Sequence, residues 1–214
     1  MPGDKHMLSV KIFLRYDKAN CVVDYEFFLS ILKFWFWNEK IMKTIFLLRH
    51  AKSSWNDSSI EDHDRPLNKR GNLNAPFMGE RLKNRSVSPD LVYSSTALRA
   101  SKTAEIICQK IGYNSDKISF LPELYHADTQ ELVRHIQQIP NQIKSAMLVG
   151  HNPGLSELAA NEWGIPLSNL PTCGILEVIF NKDTWKDITR NNVKVVNFDY
   201  PKNPSYLPAI LLQS

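Results

Sequence analysis

Met42-Lys43-Thr44-Ile45-Phe46-Leu47-Leu48-Arg49-His50-Ala51-Lys52-Ser53-Ser54-Trp55 is the stretch on which the fold turns. It opens as an apolar run rich in β-forming residues, as a strand buried on both faces requires. It then becomes polar at once. Two later runs have the same character, at residues 90–93 (Asp90-Leu91-Val92-Tyr93) and 146–149 (Ala146-Met147-Leu148-Val149), each followed by polar or turn-forming residues.

Helical spacing fills the intervals. The pattern predicts a helix over residues 68–85, with Asn68 as N-cap and Leu73, Phe77 and Leu82 on one side; Pro76 inside it should kink it or displace its start. A second helix is expected over residues 96–111, with Ala100, Thr103, Ile107 and Ile111 at helical spacing and Gly112 as its stop. A shorter one, residues 130–139, ends at Pro140. Residues 174–180 and 193–198 read as two further strands near an edge of the sheet. Alternating strands and helices argue for an α/β domain built on a mostly parallel sheet.

Composition agrees with one globular domain. Of 214 residues 43% are hydrophobic and 22% charged, close to the soluble average. The formal net charge of +4 is spread along the chain, so no nucleic-acid footprint is expected, although mild basicity suits a small anionic substrate. Three cysteines, Cys21, Cys108 and Cys173, give neither a disulfide framework nor a zinc spacing; each reads as a small core hydrophobe, and a reducing cytoplasm is the expected compartment.

Residues 1–41 differ from the rest. They hold nine of the 22 aromatics, most of them between Tyr25 and Trp37. That apolar segment is interrupted by Lys33 and too short to span a bilayer, and Asn38-Glu39-Lys40 follows it where a signal peptide would carry small residues. Three readings stay open: an interfacial anchor, an added docking element, or residues encoded upstream of a true start at Met42. The last is favoured, which leaves residues 42–214 as the domain, with no membrane association expected.

In open α/β sheets ligands bind beyond the carboxyl ends of the strands. The first strand is followed by Arg49 and His50, the second by Ser94-Ser95-Thr96-Ala97-Leu98-Arg99, and the third by Gly150-His151-Asn152-Pro153. Taken singly, such histidines are more often structural and such arginines are usually solvated. Together, two arginines and two histidines at three successive strand ends make an anion site with a nucleophile in it. Guanidinium forks match phosphoryl oxygens and stabilise transition-state charge. A neutral imidazole can attack phosphorus in line and form a covalent phosphohistidine that water hydrolyses. No residue cluster has metal-binding spacing. Burial and neighbouring arginines should lower the pKa of His50.

Arg49-His50-Ala51, the stretch from Ser94 to Ala104, and Gly150-His151-Asn152-Pro153 resemble the motifs of the histidine phosphatase superfamily, also called phosphoglycerate mutase-like. With Asp64-Arg65-Pro66-Leu67-Asn68-Lys69-Arg70-Gly71 as a fourth motif, the likeness is greatest to the small SixA-type phosphohistidine phosphatases and covers about residues 42–200. The resemblance implies a three-layer α/β/α sandwich and a phosphatase with neither metal nor organic cofactor. It implies His50 as the phosphorylated nucleophile, Arg49 and Arg99 as phosphoryl-binding residues, and His151 as a hydrogen-bonding stabiliser of the transition state.

The proton donor is open between Glu123, which falls where larger relatives carry an acid, and Asp64, which could equally shape a turn and pair with a base. A phosphohistidine substrate has little need of either. Asn152, Ser53 and Lys52 are candidate phosphate or substrate contacts, His126 could line the mouth, and His63 and His135 read as surface residues. Thr103 reads as packing, and Trp55, Trp163 and Trp185 as core or rim hydrophobes. The expected substrate is a phosphorylated histidine-containing protein, because the short run from Glu123 to Ala146 leaves little room for a lid. The alternatives are a phosphatase of a small phosphorylated metabolite, a mutase, or a non-catalytic phosphohistidine-binding module. A monomer is expected.

Overall fold

The computed structural model describes residues 42–204; the expectations placed on residues 1–41, and on Cys21, lie outside the described residues. The sheet has six strands in the order β3-β2-β4-β1-β5-β6: β1 (Met42–Arg49), β2 (Leu91–Ser95), β3 (Ser119–Leu121), β4 (Ser145–Gly150), β5 (Ile175–Asn181) and β6 (Val193–Asp199). β1, β2, β3 and β4 run parallel, while β5 is antiparallel to both β1 and β6. The expected edge strands are thus present. β3 is an addition that the sequence did not reveal, having only three residues and none of them buried.

The apolar run of β1 works on both sides of the sheet, because successive side chains of a strand point to opposite faces. Ile45 and Leu47 join Leu148, Leu176, Val178 and Phe180 on one face. Phe46 and Leu48 join Met147, Val149 and Val92 on the other. Helices α1 (Lys69–Asn84) and α2 (Leu98–Ile111) cover the second face. The first is covered by α3 (Thr129–Gln137) and by α4 (Gly154–Glu157), which widens into a π turn over Leu158–Glu162. The result is the expected three-layer α/β/α sandwich with a mostly parallel sheet.

Local signals set the helix ends. Asn68 caps α1 by accepting from the Gly71 N–H at 2.9 Å, and Gly112, with φ +78°, terminates α2 in the left-handed conformation. Pro76 does not displace the start of α1. The buried side of α1 departs from expectation: Leu73 and Phe77 are exposed, while Gly71, Ala75, Met78, Gly79 and Leu82 are buried. Close approach decides this face. A Cβ on Gly71 would stand 2.2 Å from the Lys52 carbonyl oxygen. Trp163 and Trp185 are core residues, whereas Trp55 is 71% exposed. Among the described residues no helix is long and apolar enough to cross a membrane.

Candidate active site

The chain leaves β1 for α1 on one face and leaves β4 for α4 on the other, so the crevice beyond these adjacent strands is a topological switch point. Parallel register pairs Arg49 with Gly150 and so sets His50 beside His151. Their ring centroids are 5.0 Å apart.

Backbone bonds fix His50 from three directions. Its N–H donates to the Gly150 carbonyl at 3.0 Å, and its carbonyl accepts from the Cys173 N–H at 3.1 Å. The next N–H, of Ala51, donates to the Thr103 hydroxyl oxygen at 3.0 Å, while that hydroxyl donates to the Arg99 carbonyl at 2.6 Å. One turn of α2 therefore carries both Arg99 and the clamp on the histidine loop. Thr103, expected only to pack, is a hydrogen-bonding member of the site's frame.

The ring of His50 is buried and its Nδ1 lies 2.7 Å from the Ala51 carbonyl. A carbonyl can only accept, so Nδ1 carries the hydrogen and Nε2 keeps its lone pair. Burial lowers the His50 pKa; the Ala51 bond opposes this, Arg99, Arg49 and Arg65 reinforce it, and the value falls to about 4. His151 falls further, to about 2, through burial and then the proximity of His50, Arg99 and His126. Its Nε2 is 2.9 Å from the Ser95 hydroxyl, and its buried Nδ1 has no partner among the described residues.

Arg49 donates to the Leu170 carbonyl at 2.8 Å and to Asn169 Oδ1 at 3.3 Å. Asn152 donates to the same two oxygens, at 3.1 and 2.9 Å, which ties it to Arg49. Ser53 is buried and accepts from Arg65 at 2.7 Å. His126 stacks on His151 with centroids 5.4 Å apart, at the mouth as expected. Arg49, His50, Arg99 and His151 are thus brought together, with Asn152, Ser53 and His126 around them. Glu123 stands exposed on the turn Pro122–Leu124 and makes no hydrogen bond to those four among the described residues. Asp64 turns to His63, 2.9 Å away, and His63 also reaches the Thr96 hydroxyl at 3.0 Å, so it belongs to the rim of the site.

A carboxylate that the sequence reading passed over lies among the arginines. Asp62 accepts from Arg99 at 2.8 Å, from Arg65 at 2.5 Å and from the Tyr125 hydroxyl at 2.8 Å. Partial burial favours its neutral form, but the hydrogen bonds from Tyr125, Arg65 and Arg99 win and hold the carboxyl well below the usual carboxylate range. The available signal was the Asp62-to-Arg65 spacing of three residues. Asp64, next to the arginine, is the more conspicuous carboxylate in the sequence.

The sequence model of the histidine phosphatase superfamily (branch 1) matches residues 45–153. The chain belongs to the histidine phosphatase superfamily. Among its relatives, an uncharacterized chloroplastic protein of Arabidopsis thaliana is 32% identical over 155 residues, spanning 69% of this chain and 71% of the relative. The structure of a candidate phosphohistidine phosphatase, SixA, of Agrobacterium tumefaciens is similar at a TM-score of 0.64 and 28% identity, over 74% of this chain and 98% of that one. The protein histidine phosphatase SixA complexed with tungstate shares the fold at a TM-score of 0.61 and 24% identity, over 74% and 97% of the two chains. The fold expected of a histidine phosphatase is the fold observed, with the superfamily match running from β1 to Pro153 just beyond the second histidine.

Proposed function

We propose that this histidine phosphatase hydrolyses phosphohistidine on a protein through a covalent phosphohistidine at His50, without a metal. The observation that carries the reading is the hydrogen bond from His50 Nδ1 to the Ala51 carbonyl, which leaves the lone pair of Nε2 free in a ring that burial keeps neutral. Arg49 and Arg99 would hold the phosphoryl oxygens, and His151, with Nδ1 unpartnered, would add a contact to the group in flight. Asn152 would steady the anchors of Arg49, and Ser53 would steady Arg65 behind them.

In the first step His50 Nε2 forms a bond to phosphorus as the bond from phosphorus to the substrate's ring nitrogen breaks. A substrate ring protonated on its other nitrogen departs as neutral imidazole and needs no acid from the protein. This suits a site whose best-placed carboxylate, Asp62, is held ionised, and it leaves Glu123 and Asp64 without a required role. In the second step water attacks phosphorus, the P–Nε2 bond breaks with its electron pair returning to His50, and the protons of the water leave on the released phosphate. A protein substrate is supported by the mouth: the segment between β3 and β4 holds one nine-residue helix, α3, whose Leu132 and Ile136 are buried in the core.

The test is phosphate release from a phosphorylated histidine-containing signalling domain with chelator present. Chelator-resistant release by the wild type, absent from His50→Ala, is expected. Turnover of small phosphate esters alone would move the assignment to a metabolite phosphatase, and binding without turnover to a recognition module.

A further inference from the structure

Asp62 is not used by the chemistry above, yet it touches Arg99, one of the two guanidiniums proposed to hold the phosphoryl group. Both terminal nitrogens of Arg99 are turned to it, Nη2 to the carboxylate at 2.8 Å and Nη1 to its main-chain carbonyl. Its second carboxylate oxygen holds Arg65, which is itself buried, bonded to Ser53 and to the Ser54 carbonyl at 2.8 Å, and backed by the Trp55 ring at 3.1 Å. Tyr125 donates to the oxygen facing Arg99, and His126 Nε2 lies 3.3 Å from it. The carboxylate is pinned from several sides and cannot simply swing away.

Two simpler roles do not fit. A proton donor must be neutral, and Asp62 lies between two guanidiniums. A metal ligand needs companions, and among the described residues no group of three His, Cys, Asp or Glu side chains is arranged to hold a metal ion. Charge counting points elsewhere. Arg49, Arg65 and Arg99 all act on His50, and the Asp62 carboxylate offsets one of the three, leaving a surplus that balances a phosphoryl dianion. Without Asp62 the surplus would exceed the charge of the ligand.

We propose that Asp62 is a built-in competitor of the phosphoryl group for Arg99, which aims that guanidinium before substrate arrives and loosens the grip of the site on free phosphate afterwards. The proposal rests on the reading of Arg49, His50 and Arg99 as a phosphoryl site. Asp62 acts through Arg99 and is therefore a positioning residue. Its amide variant keeps the main-chain acceptor for Arg99 and an amide oxygen in place of the carboxylate, so the charge is removed while the aim is kept.

The experiment is calorimetric titration of the full chain with inorganic phosphate at low ionic strength. Asp62→Asn should bind phosphate about tenfold more tightly than wild type, as expected for removing one nearby like charge at a half-exposed position. The gain should shrink as salt is added, and Asp62→Glu, which keeps the charge, should stay within about threefold of wild type. Equal or weaker binding by a folded Asp62→Asn would overturn the proposal and leave the phosphoryl site standing. No binding by wild type, or binding unaffected by Arg99→Ala, would instead remove the functional reading and the proposal with it. If circular dichroism shows Asp62→Asn unfolded, Asp62→Ser carries the same comparison.

Discussion

The ring of His50 has one nitrogen committed to a carbonyl and the other exposed to chemistry, in a setting that resists protonation. Its pKa of about 4 means that the lone pair proposed as the nucleophile is present throughout the neutral range and is lost only in acid. Ring resonances followed by NMR should show no titration of His50 between pH 5 and 8; a midpoint near 6.5 would contradict the buried, arginine-flanked site. If His50 is the nucleophile as proposed, His50→Ala should lower turnover more than about a thousandfold. Arg49, His50 and His151 were legible because each stands at or within two residues of the end of an apolar run, and Arg99 because it falls in the loop-to-helix segment after the second run, so type and position were visible together. Asp62 was not, because its meaning depends on a loop folding back across 37 positions to Arg99. Thr103 was hidden for a related reason: its hydroxyl is decisive only through a backbone N–H 52 positions away.

Helix α2 sits where the histidine loop needs a donor satisfied. Thr103→Val keeps shape and removes the acceptor from the Ala51 N–H, so thermal unfolding should report a loss of about 1–3 kcal/mol for the orphaned group, with turnover falling as well. Serine at the same position should restore most of both. Helix α1 is fitted by contact: Gly71→Ala would drive a methyl group into the Lys52 carbonyl, and a loss of about 1–3 kcal/mol is expected by denaturant titration. Hydrophobic spacing was the wrong guide to this helix, since glycine and alanine at the tightest places carry no such signal. The same logic explains the strands. β1, β2 and β4 are continuous apolar runs because both faces are covered, whereas β3 is three residues on an edge and is written mainly by its partner, β2.

Across the whole molecule, the buried neutral histidines couple folding to pH. The folded pKa values of His50 and His151 lie below the ordinary 6.5, so the unfolded chain binds protons that the folded chain refuses. Their contribution to stability is whole above about 6.5 and is lost as pH falls toward 4 for His50 and lower still for His151. The thermal midpoint should therefore fall between pH 6.5 and 4, and fall less steeply in His151→Gln. Arg49 draws its anchors from Asn169 and Leu170, about 120 positions further along the chain, and His50 draws one from Cys173. On the ribosome, the proposed nucleophile thus emerges long before the parts that tie back its carbonyl and anchor the arginine beside it. A nascent chain halted just after His151 already carries all four strand-end residues and yet lacks these ties, so phosphoryl transfer should begin only when synthesis has passed the loop before β5.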